Sequence, residues 1–273
     1  MIELSSARRA INDQGVCPCC LTIAGSDSGG NAGVQADLRT FHAHGIHGCT
    51  AFTALTAQNP DCVSAIHPVP ADFVAAQLDA IFGVYSVAAL KTGMLGSAET
   101  VETIGEILHK HHNVRKVVDP VMIATSGAKL IPQETISALE ALLIPIADVI
   151  TPNIPEAEIL AGREIKNELG LREVAKKLYG QYGCKVLLKG GHNKGKSAKD
   201  VFFDGKDFFE YESEWIENPI STHGTGCTLA AALTANLALG HDVCQAIRNA
   251  KRYVHNAIAA SYRVGKNCGV LGF

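Results

Sequence analysis

The stretch best equipped for chemistry is Ile220-Ser221-Thr222-His223-Gly224-Thr225-Gly226-Cys227-Thr228. It runs directly into a helical pattern, with Leu229, Leu233 and Leu237 spaced among alanines until Gly240 ends it. Glycines at a helix start let the backbone approach a ligand. The unpaired N–H groups of the first turn, with the helix dipole behind them, favour an anion there. Gly224, Thr225 and Gly226 are therefore candidates for a phosphate or oxyanion hole. Cys227 stands in the first turn, where a thiol pKa tends to be lowered. The same pattern also suits a Gly-rich turn with Cys227 as core filler.

Further candidates sit where apolar runs give way to polar loops. Leu21-Thr22-Ile23-Ala24 reads as a buried strand running into Gly25-Ser26-Asp27-Ser28-Gly29-Gly30-Asn31-Ala32-Gly33, after which Val34, Leu38 and Phe41 mark one face of a helix. This loop matches neither GxGxxG nor a Walker A loop, so close approach to a flat ligand is as good a reading as phosphate binding. His47 to Ala57 is strand-like and leads to Gln58, either a turn amide or an amide that hydrogen-bonds a heterocycle. Arg115 to Val118 ends in Asp119-Pro120-Val121-Met122, which places Asp119 for chemistry, although Asp-Pro is also a common turn. Ala147 to Ile150 ends in Thr151-Pro152-Asn153-Ile154-Pro155-Glu156. Asn153 and Glu156 offer oxygens that suit Mg²⁺, often through water, and equally form a helix-start box; the two readings are compatible.

The elements that must position these groups follow from periodicity. Helices are expected over 71–82, 99–109, 132–143 and 171–182, after the anion stretch, and from Asp242, with Gln245 three residues on. Strands are expected at 86–90, before Lys91-Thr92-Gly93-Met94-Leu95, and at 185–188, before Lys189-Gly190-Gly191-His192. Asp204-Gly205 signals a hairpin. Alternating strands and helices argue for an α/β domain, whose ligands bind at the carboxyl ends of parallel strands.

Composition narrows the class. The chain has 273 residues, 47% hydrophobic and 19% charged, with a formal net charge of -3, enough for a sizeable core and without a basic block for nucleic acid. No apolar run is long enough to span a membrane, and Arg8, Arg9, Asn12 and Asp13 interrupt any signal-peptide core. Nine cysteines in a long chain are not a disulfide scaffold, which points to a reduced, cytoplasmic enzyme. Residues 1–19 read as an N-terminal tail and 20–273 as the domain. Cys17, Cys19 and Cys20 lack partners at zinc-ligand spacing, so no metal is expected there.

Taken together, the loops resemble the ribokinase-like superfamily, and within it the hydroxymethylpyrimidine and phosphomethylpyrimidine kinases of thiamin synthesis. The resemblance rests on Ala24-Gly25-Ser26-Asp27, Ala32 to Leu38, Thr56-Ala57-Gln58-Asn59, Lys91 to Leu95, Asp119 to Met122, Thr151 to Glu156, Lys189 to His192 and His223 to Thr228, in the family's order. Asn31 departs from it, standing where the family usually has a third glycine. The resemblance implies a three-layer α/β/α sandwich with a mainly parallel central sheet. It also implies ATP-dependent phosphoryl transfer to 4-amino-5-hydroxymethyl-2-methylpyrimidine and to its monophosphate. Cys227 falls where most of the superfamily has a base, and a helix-lowered thiol could act as one. The Gly224 to Cys227 amides would hold charge, Lys189 and Asp119 would serve ATP, and Asn153 and Glu156 match the magnesium-associated motif. Gln58, Gly25, Met94 and Val121 would contact the pyrimidine; Asp37 could face it too, or lie as a solvated helix carboxylate. Pyridoxal kinase of the same superfamily and a non-catalytic vitamin-precursor sensor are the competing readings. The sequence leaves a homodimer open.

Overall fold

The computed structural model describes residues 9–11, 15–59, 62–122, 131–190, 197–265 and 268–273. Gly191 and His192 of the Lys-Gly-Gly-His motif and much of the expected tail lie outside them. Strand β1 (Cys19–Asp27) starts the sheet, one residue before the boundary expected for the domain. Its residues alternate between two cores: Cys19, Leu21 and Ile23 face one, and Cys20 the other. That period of two is what a strand buried on both faces requires.

The chain continues through α1 (Gly33–Ala43), β2 (His47–Gln58), β3 (Val63–Pro68), α2 (Ala71–Phe82), β4 (Val87–Thr92), α3 (Ala98–His109) and β5 (Arg115–Val118). Next come α4 (Gln133–Ala138), β6 (Val149–Ile150), α5 (Ile154–Ala161), α6 (Glu168–Tyr182), β7 (Lys185–Leu188), β8 (Ser197–Phe203) and β9 (Phe208–Glu214). Helices α7 (Thr225–Ala238) and α8 (Val243–Ala259) precede a small hairpin of β10 (Tyr262–Val264) and β11 (Cys268–Val270). The main sheet runs β3-β2-β1-β4-β5-β6-β7-β8-β9. Strands β2, β1, β4, β5, β6 and β7 are parallel, and β3, β8 and β9 add antiparallel edges. Helices α2 to α6 cover one face and α1, α7 and α8 the other, giving the expected three layers.

Most elements match their sequence periods, and the 204–205 turn does join β8 to β9. Two differ. The helix expected over 132–143 is α-helical only to Ala138, then widens into a π-type turn over Leu139–Leu143. Strand β3 was not expected: all its residues are exposed, so it has no apolar alternation to read. The anticipated caps are present, with Asp242 accepting the Gln245 N–H at 2.9 Å.

The cysteines at the chain start belong to the sheet. Cys19 and Cys20 are buried in β1, and the Cys19 and Cys49 sulfurs approach to 3.5 Å. Cys17 donates to the Gly45 carbonyl and the Pro18 carbonyl accepts from His47, so the segment before β1 is tied to the start of β2.

Candidate active site

The parallel strands deliver their loops to one edge. After β1, Asp27 folds the Gly-rich loop around its carboxylate, accepting the N–H groups of Gly29, Asn31 and Ala32 at 2.8–2.9 Å. Burial alone would raise the Asp27 pKa, but His223 and these N–H groups outweigh it and hold it below the usual range. Gln35 closes the loop from α1, accepting the Asp27 N–H and donating to Ser26 Oγ. Asn31 is not strained: Asn218 is the one non-glycine with positive φ among the described residues. The loop therefore needs no left-handed backbone at this position.

The Gly-rich loop locks onto the anion stretch. Gly224 has φ 87°, and a Cβ on it would stand 1.9 Å from the Asn31 carbonyl oxygen, so only glycine fits. Gly224 caps α7 with no side-chain hydrogen bond. The N–H groups of Gly226 and Cys227 have no acceptor among the described residues, leaving two donors at a helix start, as an anion site needs. Thr225 contributes less than expected, because its N–H and hydroxyl both turn back to the Thr222 carbonyl.

Cys227 corrects the sequence reading. Against the expected depression at the helix start, burial pushes the thiol up to about 11, with Lys91 pulling the other way. The Gly33 N–H at the start of α1 faces the sulfur and pulls the pKa down, but burial outweighs this pull as well.

Lys189, just beyond β7, lies beside this loop. Its Nζ is 3.7 Å from where a Cβ on Gly226 would stand and 2.8 Å from Asp119 Oδ1. It is 4.0 Å from Glu156 Oε2. Asp119, at the end of β5, also accepts the Thr151 hydroxyl at 2.9 Å. Asn153 and Glu156 form the reciprocal helix-start box of α5, each side chain accepting the other's N–H at 2.8–2.9 Å. Burial drives the Glu156 pKa up to about 7, with Lys189 opposing and Asp119 reinforcing. Two buried carboxylates thus share one ammonium, and the net negative charge fits a divalent cation held through water. The Asn153 oxygen, already used as a cap, has one lone pair left for that purpose.

Of the residues expected at the heterocycle, Gly25 of β1 and Met94 after β4 are brought together. Gly25 and Met94 are in contact, since a Cβ on Gly25 would fall 2.6 Å from Met94 Cε. Thr53 fixes the Met94 carbonyl at 2.6 Å. Gln58, at the end of β2, is pinned to the Gly-rich loop through Ser28, and its side chain lies 3.2 Å from the Thr56 hydroxyl, which donates to the Ser26 carbonyl at 2.7 Å. Val121 follows Asp119 at the end of β5 and is half-buried. Asp37 is neither solvated nor facing a ligand; it is fully buried against Lys91. Sequence reasoning missed Lys91 as the partner of Asp37. The signal was a lysine in step with Ala89 on a strand buried on both faces.

Fold and site together define an α/β enzyme that presents an anion-binding helix start, a lysine and two carboxylates at the carboxyl edge of its sheet. The family model for phosphomethylpyrimidine kinase matches residues 27–272. The chain belongs to this family of kinases. It is 44% identical over 254 residues to a hydroxymethylpyrimidine/phosphomethylpyrimidine kinase of Haemophilus influenzae, covering 91% of this chain and 94% of that protein. It is 48% identical over 249 residues to a thiamine biosynthesis bifunctional protein of Geobacter sulfurreducens, where it covers 91% of this chain but 51% of the relative. The chain thus spans about half the length of that relative. Among solved structures it is similar to the phosphomethylpyrimidine kinase of Clostridium difficile, with TM-score 0.79 and 40% identity over 88% of this chain and 99% of that one. It is also similar to the pyridoxal kinase of Bacillus subtilis solved with ADP, with TM-score 0.86 and 38% identity over 93% of this chain and 96% of that one. No helix among the described residues is long and apolar enough to cross a membrane.

Proposed function

We propose that this chain phosphorylates 4-amino-5-hydroxymethyl-2-methylpyrimidine and then its monophosphate, using ATP, in thiamin biosynthesis. The observation that carries the reading is the pair of open N–H donors at Gly226 and Cys227 with Lys189 beside them. Phosphoryl transfer gains mainly from positioning and charge stabilisation, and these groups supply both. Lys189, held by Asp119, meets the ATP phosphates. Glu156 and Asn153 would hold Mg²⁺ through water, and the ion would offset phosphate charge there. Gln58 pairs with the amino group and ring nitrogen of the pyrimidine, Gly25 lets the backbone approach the ring, and Met94 and Val121 give apolar contacts.

In the first transfer the substrate hydroxyl oxygen bonds to the γ-phosphorus as the bond to the ADP oxygen breaks. The hydroxyl proton goes to the Cys227 thiolate, leaving a thiol and ADP. Because burial favours the thiol, the base works from a small ionised fraction. The catalytic domain would take in the sheet from Cys19, where β1 begins, in a cytoplasmic enzyme without nucleic-acid or membrane partners. The exposed edge strand β3, with Val63 and Ile66 in contact with water, supports a homodimer that sedimentation would detect.

Pyridoxal kinase is the second reading, favoured by the likeness to pyridoxal kinases among solved structures, including the Staphylococcus aureus enzyme with AMP-PCP and pyridoxal at 33% identity. ADP release measured with hydroxymethylpyrimidine, its monophosphate and pyridoxal decides between them. Efficient turnover of the two pyrimidines is expected. Turnover of pyridoxal alone would select the second reading, and no turnover of any would select the non-catalytic sensor.

A further inference from the structure

The backbone ladder between β7 and β8 pairs Val186, Leu187 and Leu188 with Phe203, Phe202 and Val201, and stops there. Beyond it stand Lys189 on one strand and Asp200 on the other. At this point a side chain takes over from the ladder. Asp200 Oδ1 accepts the N–H of Gly190 at 3.0 Å, and its Oδ2 accepts from Lys251 Nζ of α8 at 2.6 Å. Asp200 is buried, and by the alternation of a strand it shares a face with Phe202, which belongs to the apolar core under α7 and α8. A buried ion pair adds little to stability, since apolar side chains of similar volume often hold the fold as well or better. Its place beside Lys189 therefore asks for another role.

The backbone around Lys189 is held on both sides. Its own N–H donates to the Pro152 carbonyl at 2.9 Å, next to the Asn153–Lys189 bridge. The following N–H is the one that Asp200 takes. Gly190 is pressed against β8, where a Cβ on it would stand 2.2 Å from the Lys199 carbonyl oxygen. An ammonium on a flexible four-carbon stem has no rigid fork to orient it, so its reach is set by the backbone it hangs from. We propose that Asp200 is a positioning residue for Lys189: through the Gly190 N–H it fixes the turn that aims the ammonium at the phosphates, and Lys251 keeps the carboxylate in that orientation. This rests on the reading of Lys189 as the group that meets the ATP phosphates. With the acceptor gone, Gly190 is left with a buried N–H to satisfy, and the turn moves to find another partner.

The test compares two double variants, Lys251→Met/Asp200→Asn and Lys251→Met/Asp200→Leu. Neither leaves a buried charge unpaired. Asparagine offers Gly190 an oxygen and leucine of similar size does not. ADP release with saturating hydroxymethylpyrimidine gives kcat and the KM for ATP. The asparagine variant should stay close to wild type, and the leucine variant should fall below it by on the order of 10²-fold in kcat, as a catalytic group displaced by about 1 Å does. In a Lys189→Ala background the two should have equal kcat, because residues that act through one another are not additive. A merely structural role lowers kcat alike in both backgrounds. Equal kcat of the two double variants with Lys189 present overturns the proposal, and so does a gap that persists without Lys189. If the leucine variant fails to fold by circular dichroism, Lys251→Met/Asp200→Val takes its place. A large loss of kcat in the asparagine variant at an unchanged melting temperature also overturns the proposal, since the acceptor is then still there. Undiminished turnover of Lys189→Ala alone removes the reading of Lys189, and the proposal with it.

Discussion

Replacing Glu156 by glutamine should stabilise the protein at pH 8 relative to pH 5. The side chain is 3% exposed, and its pKa stands near 7 rather than the ordinary 4.5. Between those values the carboxyl is protonated in the fold and ionised in the unfolded chain. The unfolded state then binds fewer protons, so wild-type stability falls as pH rises through this window. The gap corresponds to on the order of 3 kcal/mol. Glutamine does not titrate, and its side-chain oxygen can still accept the Asn153 N–H, so any cost at the helix-start box cancels between the two pH values. Urea denaturation of both proteins in EDTA at pH 5 and pH 8 gives the double difference. The variant should gain on the order of 3 kcal/mol over wild type on going from pH 5 to pH 8. An equal difference at both pH values refutes the account of Glu156 as a buried carboxyl short of countercharge. Millimolar Mg²⁺ at pH 8 should restore stability to the wild type and not to the variant, since the ion supplies the missing countercharge only to a carboxylate.

Three other outcomes follow from the site. Cys227→Ala should lose about 10²–10⁴-fold in turnover with ATP binding retained, as expected for loss of a general base. Wild-type turnover should climb with pH from 7 towards 10, because a thiol with pKa about 11 ionises about tenfold more per pH unit; a flat profile with chemistry rate-limiting removes the base role. Gln58→Leu should cost about 1–3 kcal/mol in catalytic efficiency on the pyrimidine and far less on pyridoxal; equal losses indicate a packing defect. Gly224→Ala should destabilise the fold by at least about 1–3 kcal/mol and abolish turnover, because the added methyl meets the Asn31 carbonyl at a strained φ. An alanine variant with unchanged melting temperature would show that the two loops are not locked.

The sheet was legible because most strands end in polar loops and the helices keep a clear period. Arg115 to Val118 and Lys185 to Leu188 have the expected bounds. What the sequence hid was set by tertiary context. Strand β3 pairs only through its backbone at an edge, so its side chains record nothing of the sheet. The charge state of Cys227 depends on burial and on the Gly33 N–H at the start of α1, a segment far away in the chain. Asp37 looks like an ordinary helix carboxylate until Lys91, fifty-four residues on, is seen beside it. Asn153 and Glu156 were readable as a box, and the box forms. The excess negative charge around Glu156 became visible only when Asp119 and Lys189 were brought to it.

The contact between the Asn31 carbonyl and Gly224 has a thermodynamic consequence. It joins the loop beside Gly25, where a heterocycle would sit, to the loop whose amides face a phosphate. Each ligand would order the same joint, so the one that arrives first meets much of the cost of ordering for the other. Affinity for the nucleotide should therefore rise in the presence of the pyrimidine, and affinity for the pyrimidine should rise by the same factor in the presence of the nucleotide.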